Sequence, residues 1–279
     1  MKKTILVVAL LLTAITTNAQ FYVSASGGYS IAVGEKTLGQ KVTATTSSDL
    51  NGSYGEGAQT QLRGGYFFND KFGVELGVGY LYGTNQDVQD VSIPGASINI
   101  EARGRAFGAS LSGIYNITEN FYARAGLLTK IGGKTEAVAS LDLLVPATVV
   151  NPAAPAGQFV DLNADFTTDF HGKFPLGFIG AIGYKFPITD NWSLFAEAEY
   201  LSINVTRDTS DLGDYSATLA GGNLPSENLY QILNANPLLE DLAPLLLEGA
   251  KWGEGDLPSS KAPYSSLGIN FGFTYTFGK

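Results

Sequence analysis

Residues 267–277 read L-G-I-N-F-G-F-T-Y-T-F. The odd positions, Leu267, Ile269, Phe271, Phe273, Tyr275 and Phe277, are apolar or aromatic, and the even ones, Gly268, Asn270, Gly272, Thr274 and Thr276, are small or polar. A period of two held over this length gives a strand with one greasy face and one wet or crowded face. The greasy face carries no charge. A strand of about 9–11 residues, tilted by about 45°, is also what crosses a bilayer.

The same alternation begins at residue 20 and recurs along the chain. Phe21, Val23, Ala25, Tyr29 and Ile31 share one face of a first strand. Residues 58–68 turn Leu62, Tyr66 and Phe68 outward and Gln59, Gln61 and Arg63 inward. In residues 72–82, Phe72, Val74, Leu76, Val78, Tyr80 and Tyr82 alternate with Gly73, Glu75, Gly77 and Gly79. A fourth strand over 101–117 sets Phe107, Leu111 and Tyr115 outward. Arg103 and Arg105 share that parity and are expected above the hydrocarbon, near lipid head groups, unless a bulge shifts the register. In a fifth strand Phe121, Ala123, Leu127 and Ile131 oppose Tyr122, Arg124 and Lys130. A sixth spans 169–186 with Phe174, Leu176, Phe178, Ile182 and Tyr184 outward. In the seventh, Trp192, Leu194 and Tyr200 face out, and Glu197 and Glu199 face in.

Two kinds of connection separate these strands. N-D-K at 69–71, T-E-N at 118–120 and T-D-N at 189–191 are short turns of favourable chemistry. They alternate with long loops at about 35–57, 84–100, 136–168 and 207–262. The apolar start of the third loop can continue the strands beyond the membrane. A hairpin repeated in this way predicts an all-β fold, an eight-stranded antiparallel up-and-down transmembrane β-barrel. An even strand count returns both termini to the short-turn side. Aromatics beside the turns, such as Tyr66, Phe72, Tyr115, Tyr184 and Trp192, then form one interfacial girdle, and Tyr29, Tyr80, Tyr82 and Tyr200 lie toward the other. The rival architecture is a soluble barrel with the greasy face inside and the charges outside.

Ahead of the first strand, residues 1–19 have the make-up of a secretory signal: Lys2 and Lys3, an apolar run, then Thr17-Asn18-Ala19 before Gln20. The expected domain plan is therefore a signal at 1–19 and a barrel at 20–279. The chain has no Cys and a single His, which leaves no disulfide, no thiol nucleophile and no multi-His metal centre. A formal net charge of −9 argues against nucleic acid, whose phosphates need basic patches. No cofactor is expected.

Asn270, Gly272, Tyr275 and Phe277 resemble, in type and spacing, the C-terminal insertion signal of bacterial outer-membrane barrels, which usually stop at the last aromatic; here Gly278 and Lys279 follow. With the strand pattern of residues 20–279, the chain is similar to the small outer-membrane β-barrel family, the group of the OmpA transmembrane domain, OmpX, OmpW and the opacity-type surface proteins. The resemblance implies a Gram-negative outer membrane and periplasmic termini. It implies contact with membrane lipid and lipopolysaccharide, insertion by the barrel assembly machinery, and an extracellular partner for the loops. No peptidoglycan-binding domain is expected after the last strand.

Three features are candidates for function. Arg63, Glu75, Arg124, Lys130, Glu197 and Glu199 have lumen parity, and charges in so narrow an interior must pair. They make either a structural ion-pair plug or a narrow polar path for ions or small solutes. Asp169 and His171 lie two apart on one strand face, and an Asp-oriented His can activate water. The pair resembles part of the omptin protease site, though the second acidic pair of that family is missing here. The last loop holds Leu238, Leu239, Leu242, Leu245 and Leu246 at helical spacing, broken by Pro237 and Pro244. It reads as a helical cover over the barrel mouth or a partner surface. It carries nine acidic side chains against three basic ones over 207–262, but Asp208, Asp211 and Asp214 form no recognisable calcium loop. The reading that results is a non-enzymatic outer-membrane barrel displaying surface loops. A narrow channel is the first alternative, and a membrane-embedded hydrolase using Asp169 and His171 the second.

Overall fold

In the computed structural model, residues 20–237, 239–255 and 257–277 are described. The expected signal at 1–19 lies outside them, as does Leu238.

Eight strands pair in sequence around a ring. They are β1 (Gln20–Ala32), β2 (Gly57–Phe67), β3 (Phe72–Gly83), β4 (Ala96–Asn116), β5 (Phe121–Pro146), β6 (Gly177–Pro187), β7 (Trp192–Ser202) and β8 (Ser266–Thr276). Each pairs antiparallel with the next, from β1 with β2 through to β7 with β8. β8 then pairs with β1, Tyr22 opposite Thr276 and Ile31 opposite Leu267, so the pairing returns to its start. The fold is an all-β, barrel-like one.

Side-chain caps fix the short turns. Asn69 Oδ1 accepts from the amides of Lys71 and Phe72, both at 2.9 Å, Thr118 Oγ1 from Phe121 at 2.9 Å and Thr189 Oγ1 from Trp192 at 3.0 Å. These bonds satisfy amides that a turn would otherwise leave bare.

The outward residues are greasy and uncovered; Leu76 and Phe271 are 65% and 64% exposed. Near the short turns the outward aromatics touch one another: Phe21–Tyr66, Phe72–Tyr115, Tyr184–Phe186 and Trp192–Tyr275 have ring centres 4.7, 4.8, 4.8 and 5.0 Å apart. On the other side Tyr80 meets Phe107 at 4.7 Å.

The long connections carry secondary structure of their own. Strands at Lys36–Thr43, Ser47–Gly52 and Gln86–Ile93 extend one edge of β4, the first pairing in parallel with the third. Strands at Phe159–Gly172 and Asn204–Leu219 extend the edge of β5. The sixth strand, expected at 169–186, is two elements. Asp169 and His171 belong to Phe159–Gly172, and the ring strand begins only at Gly177. Pro175 lies in the break and has no N–H to give a ladder. Phe174 and Leu176, on either side of it, are exposed.

β5 changes partner and parity as it leaves the ring. Below Leu128 it pairs with β6, and from Thr135 upward with Phe159–Gly172. Against β4 the register slips once: Gly108 faces Lys130 and Phe107 faces Gly132, leaving Ile131 as a bulge. Gly133, at φ +86°, completes it. Below the bulge even residues such as Tyr122 and Arg124 are buried. Above it the odd residues Ala137, Ala139, Leu141, Leu143 and Val145 are.

Those odd residues start a second core outside the ring. It joins Ile98 and Ile100 of β4, Leu162, Phe166 and Phe170, and helix α1 (Ser226–Asn234), whose Leu229 and Leu233 sit one turn apart and fully buried. A 3-10 turn at Glu240–Leu246 adds Leu242 and Leu246, and Trp252 closes the side, its Nε1 donating to Ser210 Oγ at 2.9 Å.

Candidate functional site

The inward parity of β2, β3, β5 and β7 brings five charges together in the lower lumen. Glu197 is the hub. Arg63 Nη1 donates to both its oxygens at 3.0 and 3.1 Å, and Arg124 approaches from the other side through Nε at 3.0 Å and Nη2 at 2.9 Å. Arg124 Nη2 also bonds Glu199. Glu75 lies 3.6 Å from Arg124 Nη1 and 3.8 Å from Arg63 Nη1. All five side chains are buried.

Three carboxylates face two guanidiniums, and neutral donors hold the surplus negative charge. Tyr22 Oη donates to Glu75 at 2.7 Å, Tyr122 Oη to Glu197 at 2.8 Å and Gln61 Nε2 to Glu199 at 2.7 Å. Gln59 Nε2 bridges to Asn270 Oδ1 at 2.9 Å. Tyr22 and Tyr122 pack with Phe67 and Ile114 beneath the charges. Inward glycines make these seats: a Cβ at Gly65 would meet the Tyr22 ring at 2.2 Å, one at Gly183 the Tyr122 ring at 2.4 Å, and one at Gly272 the Phe195 ring at 2.6 Å. Arg63 in turn lies 4.8 Å from the centre of the Phe195 ring. Sequence reasoning missed Tyr22, Tyr122 and Gln61 as partners. Their inward parity was the available signal.

Lys130, grouped with these charges by parity, is not among them. It sits higher, its Nζ 5.5 Å from the centre of the Tyr264 ring, and makes no ion pair among the described residues. It lines a cavity of about 90 Å³ between the ion network and the cap.

The remaining candidates are dispersed. Asp169 accepts from Lys134 Nζ at 2.7 Å, while His171 Nε2 lies 3.7 Å from Asp211, both half-exposed. No hydrogen bond joins Asp169 to His171 among the described residues. Arg103 donates to Glu136 at 2.6 Å, and Lys134 also pairs with Glu136 at 3.2 Å. Burial works to raise the Glu136 carboxyl, but the bonds from Arg103 and Lys134 outweigh it and hold the group below its ordinary value. Arg105 covers the Tyr82 ring at 3.6 Å and donates to the Gly83 carbonyl at 2.6 Å. Of the terminal-strand residues, Asn270 is buried in the lumen, Tyr275 packs between Trp192 and Phe277 in the girdle, and the Phe277 amide donates to Phe21 O at 2.8 Å.

Comparison with known proteins gives a family. The profile described as outer membrane protein beta-barrel domain matches residues 4–224. No curated protein matches the chain. Among solved structures, the outer membrane protein OprG of Pseudomonas aeruginosa is 13% identical, with 94% of this chain and 97% of that one covered at a TM-score of 0.39. A major outer membrane protein of Thermus thermophilus is 14% identical, with 93% and 99% covered at 0.37. Ail, the attachment invasion locus protein of Yersinia pestis, is 12% identical, with 94% and 100% covered at 0.34.

Proposed function

The chain belongs to the outer membrane protein beta-barrel domain family, and from that premise we propose that it is a non-enzymatic, eight-stranded transmembrane barrel that presents a folded cap at the cell surface. The cap serves adhesion, partner binding or envelope integrity, and both termini lie in the periplasm beside the short turns. Lipopolysaccharide surrounds the outer girdle, and the barrel assembly machinery inserts the chain.

The observation that carries this reading is the lower lumen. Arg63 and Arg124 grip Glu197 at full burial, with Tyr22, Tyr122 and Phe67 packed below. A conducting path needs water beside its charges, whereas these charges are buried against one another and against the Tyr22 and Tyr122 hydroxyls. The cap supports display, because its apolar core holds the long connections in one arrangement. A non-enzymatic role accords with Asp169 being engaged by Lys134, away from His171.

Single-channel recording of the refolded protein in planar bilayers tests the proposal. Silence with confirmed insertion is expected. Stable steps, shifted by Glu75→Gln or Arg124→Gln, would transfer the assignment to a narrow channel for ions or small solutes. A hydrolytic activity lost on His171→Ala would transfer it to a membrane-embedded hydrolase.

A further inference from the structure

Between the ion network and the cap the lumen is lined differently. The walls of its cavity of about 90 Å³ are mainly apolar, with Leu128, Ile179, Ile203 and Val205 prominent, and Tyr264 and Lys130 also line it. Inward glycines on the facing wall keep it open. A Cβ placed at Gly108 would meet only Leu128 and Thr129 atoms at 3.6 Å, an ordinary contact.

The charge here is uncompensated. Lys130 faces the Tyr264 ring and has no carboxylate partner among the described residues. A second cation, Arg207, lies on the cap side against the Phe170 and Trp252 rings at 4.0 and 4.9 Å. On the same side the Tyr54 ring lies 5.9 Å from that of Tyr264. Arg207 has no carboxylate partner among the described residues either. The nearby Glu199 is committed to Arg124 and Gln61. Cations beside an apolar space are costly unless an anion joins them.

We propose that the upper lumen is a binding site for a short-chain amphiphilic carboxylate, with the alkyl chain in the cavity and the carboxylate on Lys130. The juxtaposition of an unpaired ammonium with apolar walls selects that chemistry. A free inorganic anion would leave the walls unfilled, and an alkyl cation would face like charge. The site goes beyond surface display and stands or falls separately from it.

The test titrates the refolded protein, in lipid nanodiscs with 13C-labelled isoleucine methyl groups, with hexanoate and separately with hexylammonium. Ile179 and Ile203 report the cavity, and Ile182 and Ile269, on the exposed outer face, report partition into lipid. Saturable shifts at Ile179 and Ile203 with hexanoate alone are expected. Lys130→Gln should weaken them about tenfold or more, and Gly108→Leu, which fills the space, should abolish them. Equal shifts with hexylammonium, undiminished hexanoate affinity in Lys130→Gln, or hexanoate shifts only at Ile182 and Ile269 would overturn the proposal. Lys130→Gln removes the charge and keeps a polar side chain only one atom shorter, so it decides the matter even where Gly108→Leu fails to insert.

Discussion

Removing Arg124 leaves Glu75, Glu197 and Glu199 facing Arg63 alone. Arg124 contacts all three carboxylates, so Arg124→Met strands more negative charge than the remaining donors can hold. Breaking a buried pair costs about 3–5 kcal/mol, and urea-induced unfolding of the refolded protein should show a loss of that order. Glu197→Gln combined with Arg124→Met should recover part of it, since one stranded charge goes with its partner. The more exposed network at Glu136 behaves otherwise. Glu136 has a depressed carboxyl, so its contribution is present above the unfolded value near 4.5 and is lost as pH falls through the lower folded value. Glu136→Gln should therefore lower stability by about 1 kcal/mol or less at neutral pH. In thermal melts the gap to the parent should close below pH 4.5, and a gap that persists there would count against the Arg103–Glu136–Lys134 bonds as its source. Inward parity was readable residue by residue, whereas partner choice was not. Lys130 and Arg124 share a strand face six residues apart, and only their height in the lumen sends one to Tyr264 and the other to Glu197.

The bulge in β5 is the element on which the cap depends. Its extra residue, Ile131, moves the buried set from even to odd positions, so that Leu141 and Leu143 point into the cap core. Gly133 takes a positive φ there, and a Cβ would fall 1.9 Å from the Arg105 carbonyl oxygen. Gly133→Ala should cost about 1–3 kcal/mol. Limited proteolysis should then cut within residues 134–172 while the ring strands stay protected. Cleavage spread evenly over ring and cap would mean that the bulge does not separate them. The short turns were plain in the sequence because Asn69, Thr118 and Thr189 cap their own turns over two or three residues. The strand at Phe159–Gly172 was not, because it exists only by pairing with β5 beyond the bulge and with Asn204–Leu219.

At the scale of the whole molecule, ring and cap are two packing problems with different solvents. The ring turns its greasy face to lipid and its charges inward, while the cap buries apolar residues against α1 and the 3-10 turn as a water-soluble sheet does. Excising residues 222–258 should therefore leave the ring able to insert, with heat-modifiable migration on gels retained. Binding of an apolar dye should rise as Leu162, Phe166 and their neighbours lose cover, and failure to insert would show that ring and cap fold as one. The sheet strands of the ring and the inward set Arg63, Glu75, Arg124, Glu197 and Glu199 followed from the chain's local pattern. Period-two alternation is complete within each strand, and a bilayer accepts charge on one face only. The cap core, the separation of Lys130 from the other charges and the cavity beneath Tyr264 came from the three-dimensional fold. They depend on a one-residue register slip and on contacts between segments more than a hundred residues apart, and neither leaves a periodic trace along the chain.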